Sequence, residues 1–340
     1  MYVFSVPRLN TSFLTRTLFC RLSDLFCALH LTLLLGPMAE SSPFLAKKRC
    51  AVVTGGNRGI GLEICRQLAS QGVLVILTAR DEKRGIEAVE NLKKSGINPD
   101  DLVFHQLDVT DSNSIASLAD FIKARFGKLD ILVNNAGISG VILNRDALAA
   151  ASGTPGAQVN SGEVTKQTYE LAEECIRTNY YGPKRTIEVL LPMLQSSDSP
   201  RIVNVSSYLG KLKNIPSDRF RKVIGDVDNH VEEKTDEILN EFLRDFKDGT
   251  FVSKGWPPHF SANIVSKAAL NALTRVLAKK YPSIMINAIC PGFVKTDINA
   301  NTGILSVEEG GASSTRLALM PPGSPSGLFY VRYDVSSFEE

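Results

Sequence analysis

Very little net charge separates the acidic from the basic residues of this 340-residue chain: 38 Lys and Arg stand against 36 Asp and Glu, leaving +2. Without a basic excess there is no electrostatic footprint for a nucleic-acid backbone, and the "KKR" at Lys47 to Arg49 reads as a solvated run before the first strand. Cysteine is sparse and scattered. Cys20, Cys27, Cys50, Cys65, Cys175 and Cys290 form no C-x-x-C pair, which removes the usual zinc and dithiol signatures and points to a reduced compartment. No metal site is expected. Cys50, Cys65 and Cys290 sit in apolar segments, where a thiol behaves as a small buried hydrophobe. The apolar run near the start, "LFCALHLTLLL", has eleven residues, well short of the roughly 20 needed to cross a bilayer. No G-K-[ST] follows the glycine-rich turn near residue 55, so the nucleoside triphosphatase reading fails. No internal repeat occurs.

What is present begins with a leader. Residues 1–37 carry three Arg, one acidic residue (Asp24) and several Ser and Thr. Three readings fit them: a signal peptide, though no small-x-small cleavage pattern follows; a transit peptide, which would place the protein in an organelle; or an upstream extension, with "MAESSPFLAKKRC" from Met38 as the natural start. Residues 1–45 are therefore expected to be a poorly ordered leader. Residues 46–340 are expected to form one domain in the cytoplasm.

From Cys50 the pattern is regular. "CAVVT", a glycine-rich turn and "IGLEICRQLAS" read as strand, turn and helix. The alternation repeats through "VLVILTA", "LVFHQLDV" and "LDILVNNAG", each followed by a helical segment, the last running from about Tyr169 to Leu194. "RIVNVSS", the helix "NIVSKAALNALTRVLAKK", "SIMINAICPG" and "GLFYVR" complete the series. Continuous apolar strands alternating with amphipathic helices predict a doubly wound α/β fold: a parallel sheet covered on both faces, with chemistry at the carboxyl ends of its strands. Two stretches interrupt the rhythm. Residues 139–162, rich in Gly, Ala and Ser, read as a loop over the site. Residues 208–260 form an insertion before the helix bearing Lys267, containing one amphipathic helix whose apolar face is Val231, Ile238, Leu239, Phe242 and Phe246.

"TGGNRGIG" at Thr54 to Gly61 places Gly55, Gly59 and Gly61 between a strand and a helix, where bare backbone can approach a pyrophosphate and a helix N-terminus supplies donors. A tight turn alone would use glycine equally well. The second strand ends at Arg80, where an NAD-binding chain usually offers an acidic residue to the ribose. With Arg58 and Arg84, Arg80 would clamp a 2′-phosphate and favour NADP; three solvated arginines are the plain reading, and Asp81 beside Arg80 leaves NAD open.

"TGGNRGIG", "LDVTD", "NNAG", "RTNYYG", "IVNVSS", the helix at Lys267 and "PGFVKTD" occur in the order found in the short-chain dehydrogenase/reductase family, which the chain resembles from Arg49 to about Arg332. The long insertion ending in "KGW" is similar to the monomeric carbonyl reductase branch, with its plant menthone, neomenthol and salutaridine reductases. The resemblance implies a Rossmann fold, NADPH as cofactor, a monomer and an apolar, cyclic terpenoid- or alkaloid-like ketone reduced to an alcohol. It also implies roles. Gly55, Asn57, Arg58, Gly59, Ile60 and Gly61 would hold the pyrophosphate, Arg80 the 2′-phosphate, Asp108 and Val109 the adenine, and Asn134, Ala136 and Gly137 the strand end beside the ribose. Pro291, Gly292, Val294 and Thr296 would meet the nicotinamide. Asn179 matches the Asn that bends its helix around a water, Ser207 the donor to the substrate oxygen, and Lys267 the Lys on the ribose.

One position departs from the pattern. The family's catalytic Tyr, four residues before the Lys, is Asn263 here, and an amide does not titrate. Independently of any family, reducing a ketone requires a hydride, donors aimed at the developing alkoxide, and a proton. Two classes of function remain: an NADPH-dependent carbonyl reductase of lowered turnover, or a relative that binds NADPH without chemistry. A pure interaction protein leaves the cofactor-type residues unexplained. Tyr180, Tyr208, Trp256 and Phe293 suggest an apolar substrate pocket, although aromatic residues are more often core.

Overall fold

Strands without polar alternation require cover on both faces, and here every residue of the central strands is buried. The protein is described from a computed structural model over residues 48–144, 164–226 and 232–340. The leader 1–45, most of the loop 139–162 and Val231 lie outside the described residues. The strands are β1 (Cys50–Val53), β2 (Leu74–Ala79), β3 (Leu102–Gln106), β4 (Ile131–Asn134), β5 (Ile142–Leu143), β6 (Thr165–Lys166), β7 (Arg201–Val205), β8 (Met285–Cys290), β9 (Phe329–Val331) and β10 (Asp334–Ser336). Eight of them form one sheet in the order β10-β9-β8-β7-β4-β1-β2-β3. All its pairings are parallel except β9 with β10. β5 and β6 make a separate antiparallel ribbon.

The helices are α1 (Gly59–Ser70), α2 (Glu82–Lys94), α3 (Ser112–Arg125), α4 (Tyr169–Ile176), α5 (Gly182–Gln195), α6 (Asp218–Gly225), α7 (Glu232–Lys247), α8 (Ser261–Lys280) and α9 (Val307–Leu319). Ile64, Leu68, Val89 and Leu317 of α1, α2 and α9 pack one sheet face. Ile115, Leu118, Ile187, Leu190, Leu270 and Leu273 of α3, α5 and α8 pack the other, and α7, with Leu239 and Phe242, packs against α4, α6 and α8. The chain runs outward from β1 to β3 and then returns past β1 to β4, β7 and β8. The strand order therefore reverses between β1 and β4, which opens a crevice at their carboxyl ends.

Three expectations needed correction. The helix read across Tyr169 to Leu194 is interrupted by a π turn at Arg177–Tyr181, a wider turn that apolar periodicity alone does not reveal. The chain does not close on β9, because β10 folds back antiparallel beside it. The aromatic pocket lost two members. Tyr180 is fully buried, and Trp256 is core of the insertion, packed edge-on against Phe220 and Phe242 at 5.5 and 5.2 Å with its Nε1 donating to Asp245 Oδ2 at 2.9 Å. Tyr208 and Phe293 do remain exposed.

Candidate functional site

The residues singled out in the sequence converge on the carboxyl edge of the sheet, where Gly55, Arg80, Ala136, Ser207 and Pro291 follow the ends of β1, β2, β4, β7 and β8. The turn after β1 can exist only with glycine. Gly55 and Gly59 have φ of +65° and +54°, values an L side chain rarely adopts. A Cβ on Gly61 would lie 2.3 Å from the Gly55 carbonyl oxygen, and one on Gly55 would lie 3.0 Å from the Ala136 Cα. The backbone thus forms a bare cradle at the N-terminus of α1, the arrangement that receives a dinucleotide's phosphates. Such a group fits these residues.

Two residues that the sequence reading passed over hold the cradle in place. Thr54 Oγ1 accepts from the backbone N–H of both Asn135 and Ala136, each at 3.0 Å, and Asn135 Nδ2 donates to the Thr54 carbonyl at 2.9 Å. The turn after β1 is therefore locked to the end of β4. The signal was available in "NNAG" and in the Thr before the glycines, polar side chains where a strand end has unpaired backbone groups.

Three of the expected residues also make scaffold contacts. The side chain of Asn134 lies on the sheet face covered by α8, where Nδ2 donates to Asn204 Oδ1 at 2.9 Å, and Asn204 in turn donates to Thr274 Oγ1 at 2.9 Å. The Val109 side chain is buried, and a Cβ on Gly182 would lie 2.9 Å from its Cγ2. Asp108 Oδ1 accepts from the Thr110 backbone and hydroxyl at 2.9 and 2.8 Å, which fixes the turn at the end of β3.

The cations around the crevice are partnered. Arg58 meets Asp297 at 2.8 Å, Arg80 approaches Glu174 at 3.9 Å, and Arg84 approaches Asp81 at 3.8 Å, all well exposed. Exposed pairs of this kind are worth about 0–1 kcal/mol, so a phosphate can displace them at small cost. The segment Pro291 to Thr296 reaches back to the cradle, where a Cβ on Gly59 would lie 3.4 Å from Thr296 Cγ2. Its own shape is set by Asn299, whose Nδ2 donates to the Val294 carbonyl at 2.8 Å while its Oδ1 accepts from the Thr296 N–H at 3.2 Å.

Deeper in, Asn179, Lys267 and Asn263 meet around Gly137 and Ile138. The π turn carries Asn179 inward, fully buried. Its Oδ1 accepts from the Ile138 N–H at 2.9 Å and its Nδ2 donates to the Ile138 carbonyl at 3.0 Å, clamping that peptide from both sides. The Ile138 carbonyl also accepts from Asn263 Nδ2 at 3.1 Å. Ser266, absent from the sequence reading, ties Asn179 to α8: Asn179 Nδ2 donates to its Oγ at 3.2 Å, and that hydroxyl donates to the backbone carbonyl of Asn263 one turn back at 2.9 Å.

Lys267 Nζ donates to the Val205 carbonyl at 2.7 Å. Burial holds its ammonium down to about 8 from an ordinary 10.5, because removing a charge from water disfavours it. Ser207 follows β7. Its Oγ accepts from the Leu209 N–H at 3.1 Å, which leaves the hydroxyl proton free to be donated elsewhere. The site therefore offers a hydroxyl donor, an ammonium and two amides. At position 263 it offers no group that can give up a proton.

A family model described as short chain dehydrogenase matches residues 49–217, and one described as enoyl-(acyl carrier protein) reductase matches residues 250–319. The chain belongs to the short-chain dehydrogenase/reductase family. It is similar to short-chain dehydrogenase/reductase 1 of Saponaria officinalis, 68% identical over 302 residues that cover 89% of this chain and 100% of that protein. It is also 57% identical to a (+)-neomenthol dehydrogenase of Arabidopsis thaliana over 303 residues, 88% of this chain and 100% of the other. Among solved structures, salutaridine reductase from Papaver somniferum matches with a TM-score of 0.78 and 50% identity, covering 83% of this chain and 99% of that one.

As a short-chain dehydrogenase/reductase the chain is an oxidoreductase with a nicotinamide cofactor. Among the described residues no helix is long and apolar enough to cross a membrane.

Proposed function

We propose that this protein is an NADPH-dependent reductase of an apolar, cyclic terpenoid- or alkaloid-like ketone, acting as a monomer, with turnover limited by the supply of a proton. The observation that carries the reading is the placement of Ser207, Lys267 and the clamped Asn179 beside the glycine cradle, at the switch point of the sheet. In this reading Gly55, Asn57, Arg58, Gly59, Ile60 and Gly61 take the pyrophosphate and Arg80 the 2′-phosphate. Asp108 and the Val109 backbone flank the adenine, Ala136, Gly137 and Lys267 lie beside the ribose, and Pro291, Gly292, Val294 and Thr296 border the nicotinamide. The bound cofactor supplies the hydride.

The chain's own residues then have distinct tasks. Ser207 donates its free hydroxyl proton in a hydrogen bond to the substrate oxygen, stabilising negative charge as it develops. Lys267 keeps a positive charge beneath the site, and Asn179 holds the Ile138 peptide that forms one wall. Asn263 has one amide hydrogen committed to Ile138 and can offer only the other. It polarises an oxygen without protonating it. Water is left as the proton source, and the general-acid contribution of about 10²- to 10⁴-fold is forgone.

A second reading rests on the same Asn263 contact: a relative that retains NADPH and performs no chemistry. Calorimetry with NADPH and NADH, followed by steady-state turnover on cyclic ketones by the protein and its Asn263→Tyr variant, tests both. NADPH binding with slow, Tyr-accelerated turnover supports the reductase. Absence of NADPH binding overturns both readings.

A further inference from the structure

The loop that begins at Ser207 is held on two sides, and only one side belongs to the crevice. On the inner side, Gly210 lies against α8 so closely that an added Cβ would come 2.7 Å from the Lys267 carbonyl carbon, and Asn271 Nδ2 donates to the Gly210 carbonyl at 3.1 Å. On the outer side runs the segment Ser336 to Glu340. There the Leu212 and Lys213 N–H groups, at the start of the short 3-10 turn Leu212–Asn214, donate to the carbonyls of Phe338 and Glu339, each at 3.0 Å. Phe338 anchors the segment between the Phe329 ring at 5.6 Å and the Arg275 guanidinium at 4.9 Å.

Lys211 stands between the loop and this segment. Only 4% exposed, it sends Nζ to Ser336 Oγ at 2.8 Å and to the Glu340 carbonyl, and it lies 4.8 Å above the Tyr208 ring. A buried ammonium must have oxygen partners, and those found here come from the 336–340 segment. One residue before Lys211 the chain is pinned to the Lys267 helix, and four residues before it lies Ser207.

We propose that Lys211 is a positioning residue: by gripping residues 336–340 it fixes the loop that aims Ser207 and exposes Tyr208 and Leu209 at the crevice. Its contacts are remote from the cradle, so it acts on the carbonyl substrate and not on the dinucleotide. The functional part rests on the reductase reading above; the positioning part does not.

Two measurements on the full chain test it, with Lys211→Met, Lys211→Arg and a deletion of residues 338–340. The first is amide hydrogen exchange. Lys211→Met and the deletion should speed exchange at 208–213 by at least about tenfold and leave α1 and β1 unchanged, whereas Lys211→Arg, which can keep the oxygen contacts, should exchange as the parent does. The second is kinetics in the Asn263→Tyr background, where Lys211→Met should lower kcat/KM for the ketone about 10- to 100-fold with the NADPH dissociation constant unchanged. Unaltered exchange at 208–213, or exchange that rises uniformly through the sheet, overturns the proposal. Loosened exchange with unchanged kcat/KM overturns the functional part. A complete lack of turnover in the Asn263→Tyr background refutes the reductase reading, while the exchange result still decides the positioning role.

Discussion

Replacing Asn263 by Tyr is the sharpest perturbation available, because it returns a titratable group to a position one helical turn before Lys267. Residues at i and i+4 on a helix lie about 5–6 Å apart at Cβ. Taking about 5 Å between phenol oxygen and ammonium and an effective dielectric of about 20, the Coulomb attraction favouring the phenolate is about 3.3 kcal/mol. That is about 2.4 pKa units at 1.36 kcal/mol each, which would bring a phenol from about 10 to between 7 and 8. Partial burial of position 263 offsets part of this. The variant gives up one hydrogen bond, from Asn263 to the Ile138 carbonyl, but that oxygen keeps Asn179 as a donor, so the fold should tolerate the change. A group with a pKa near ambient pH is an efficient general acid, and kcat should rise about 10²- to 10⁴-fold, with NADPH affinity unchanged. Single-turnover oxidation of NADPH at saturating ketone, followed by its absorbance, separates this step from product release. If the Asn263 protein is as fast as its Tyr variant, another residue delivers the proton and the argument fails.

Three further outcomes follow from the same structure. NADPH should bind more tightly than NADH, and Arg80→Asp should reverse the order by placing an acidic residue at the end of β2; equal dissociation constants for the parent would remove the 2′-phosphate assignment. Because α7 of the insertion packs on α8, the protein should sediment as a monomer in the micromolar range, and Phe242→Ala should cost about 3–5 kcal/mol of stability, since Phe242 is fully buried against Phe246 and Trp256; a stable dimer, or an indifferent Phe242→Ala, would argue against an insertion that covers α8. For Lys267, whose pKa is held near 8 in the folded chain, the unfolded state binds more protons between pH 8 and about 10.5. The cost of the buried ammonium is thus present below pH 8 and fades as pH rises. Any stability advantage of Lys267→Met at pH 7 should shrink by about 3 kcal/mol by pH 10.5, and an advantage unchanged across that range in chemical denaturation would refute the shift.

The parts legible in the sequence were those written in periodicity and in glycine. Uninterrupted apolar runs such as "VLVILTA" can be satisfied only by a sheet covered on both faces, and the order of runs and helices then leaves few topologies. Less legible were features that depend on hydrogen bonds between distant segments. The π turn at Asn179 exists because that side chain satisfies the Ile138 peptide 41 residues upstream, and no local pattern announces such a partner. Helix α9 was missed although Ser306 and Glu309 form a capping box that could have flagged it. An aromatic residue looks the same in sequence whether it lines a pocket or fills a core, as Tyr180 does in the π turn and Trp256 within the insertion.

Asn263 joins the two kinds of information. Its letter reveals that no phenol is present, but not where the amide goes. The structure directs it to the Ile138 carbonyl, the same oxygen that Asn179 clamps, so the substitution leaves no buried polar atom stranded there and costs the fold little. Here the amide replaces the phenol's chemical task with a structural one, joining α8 to the wall built on Ile138. Stability and catalysis therefore pull in opposite directions at this residue. The Tyr variant should gain rate while losing up to about 1 kcal/mol from the broken hydrogen bond, and a variant that gained both would show that the amide contact contributes nothing to the fold.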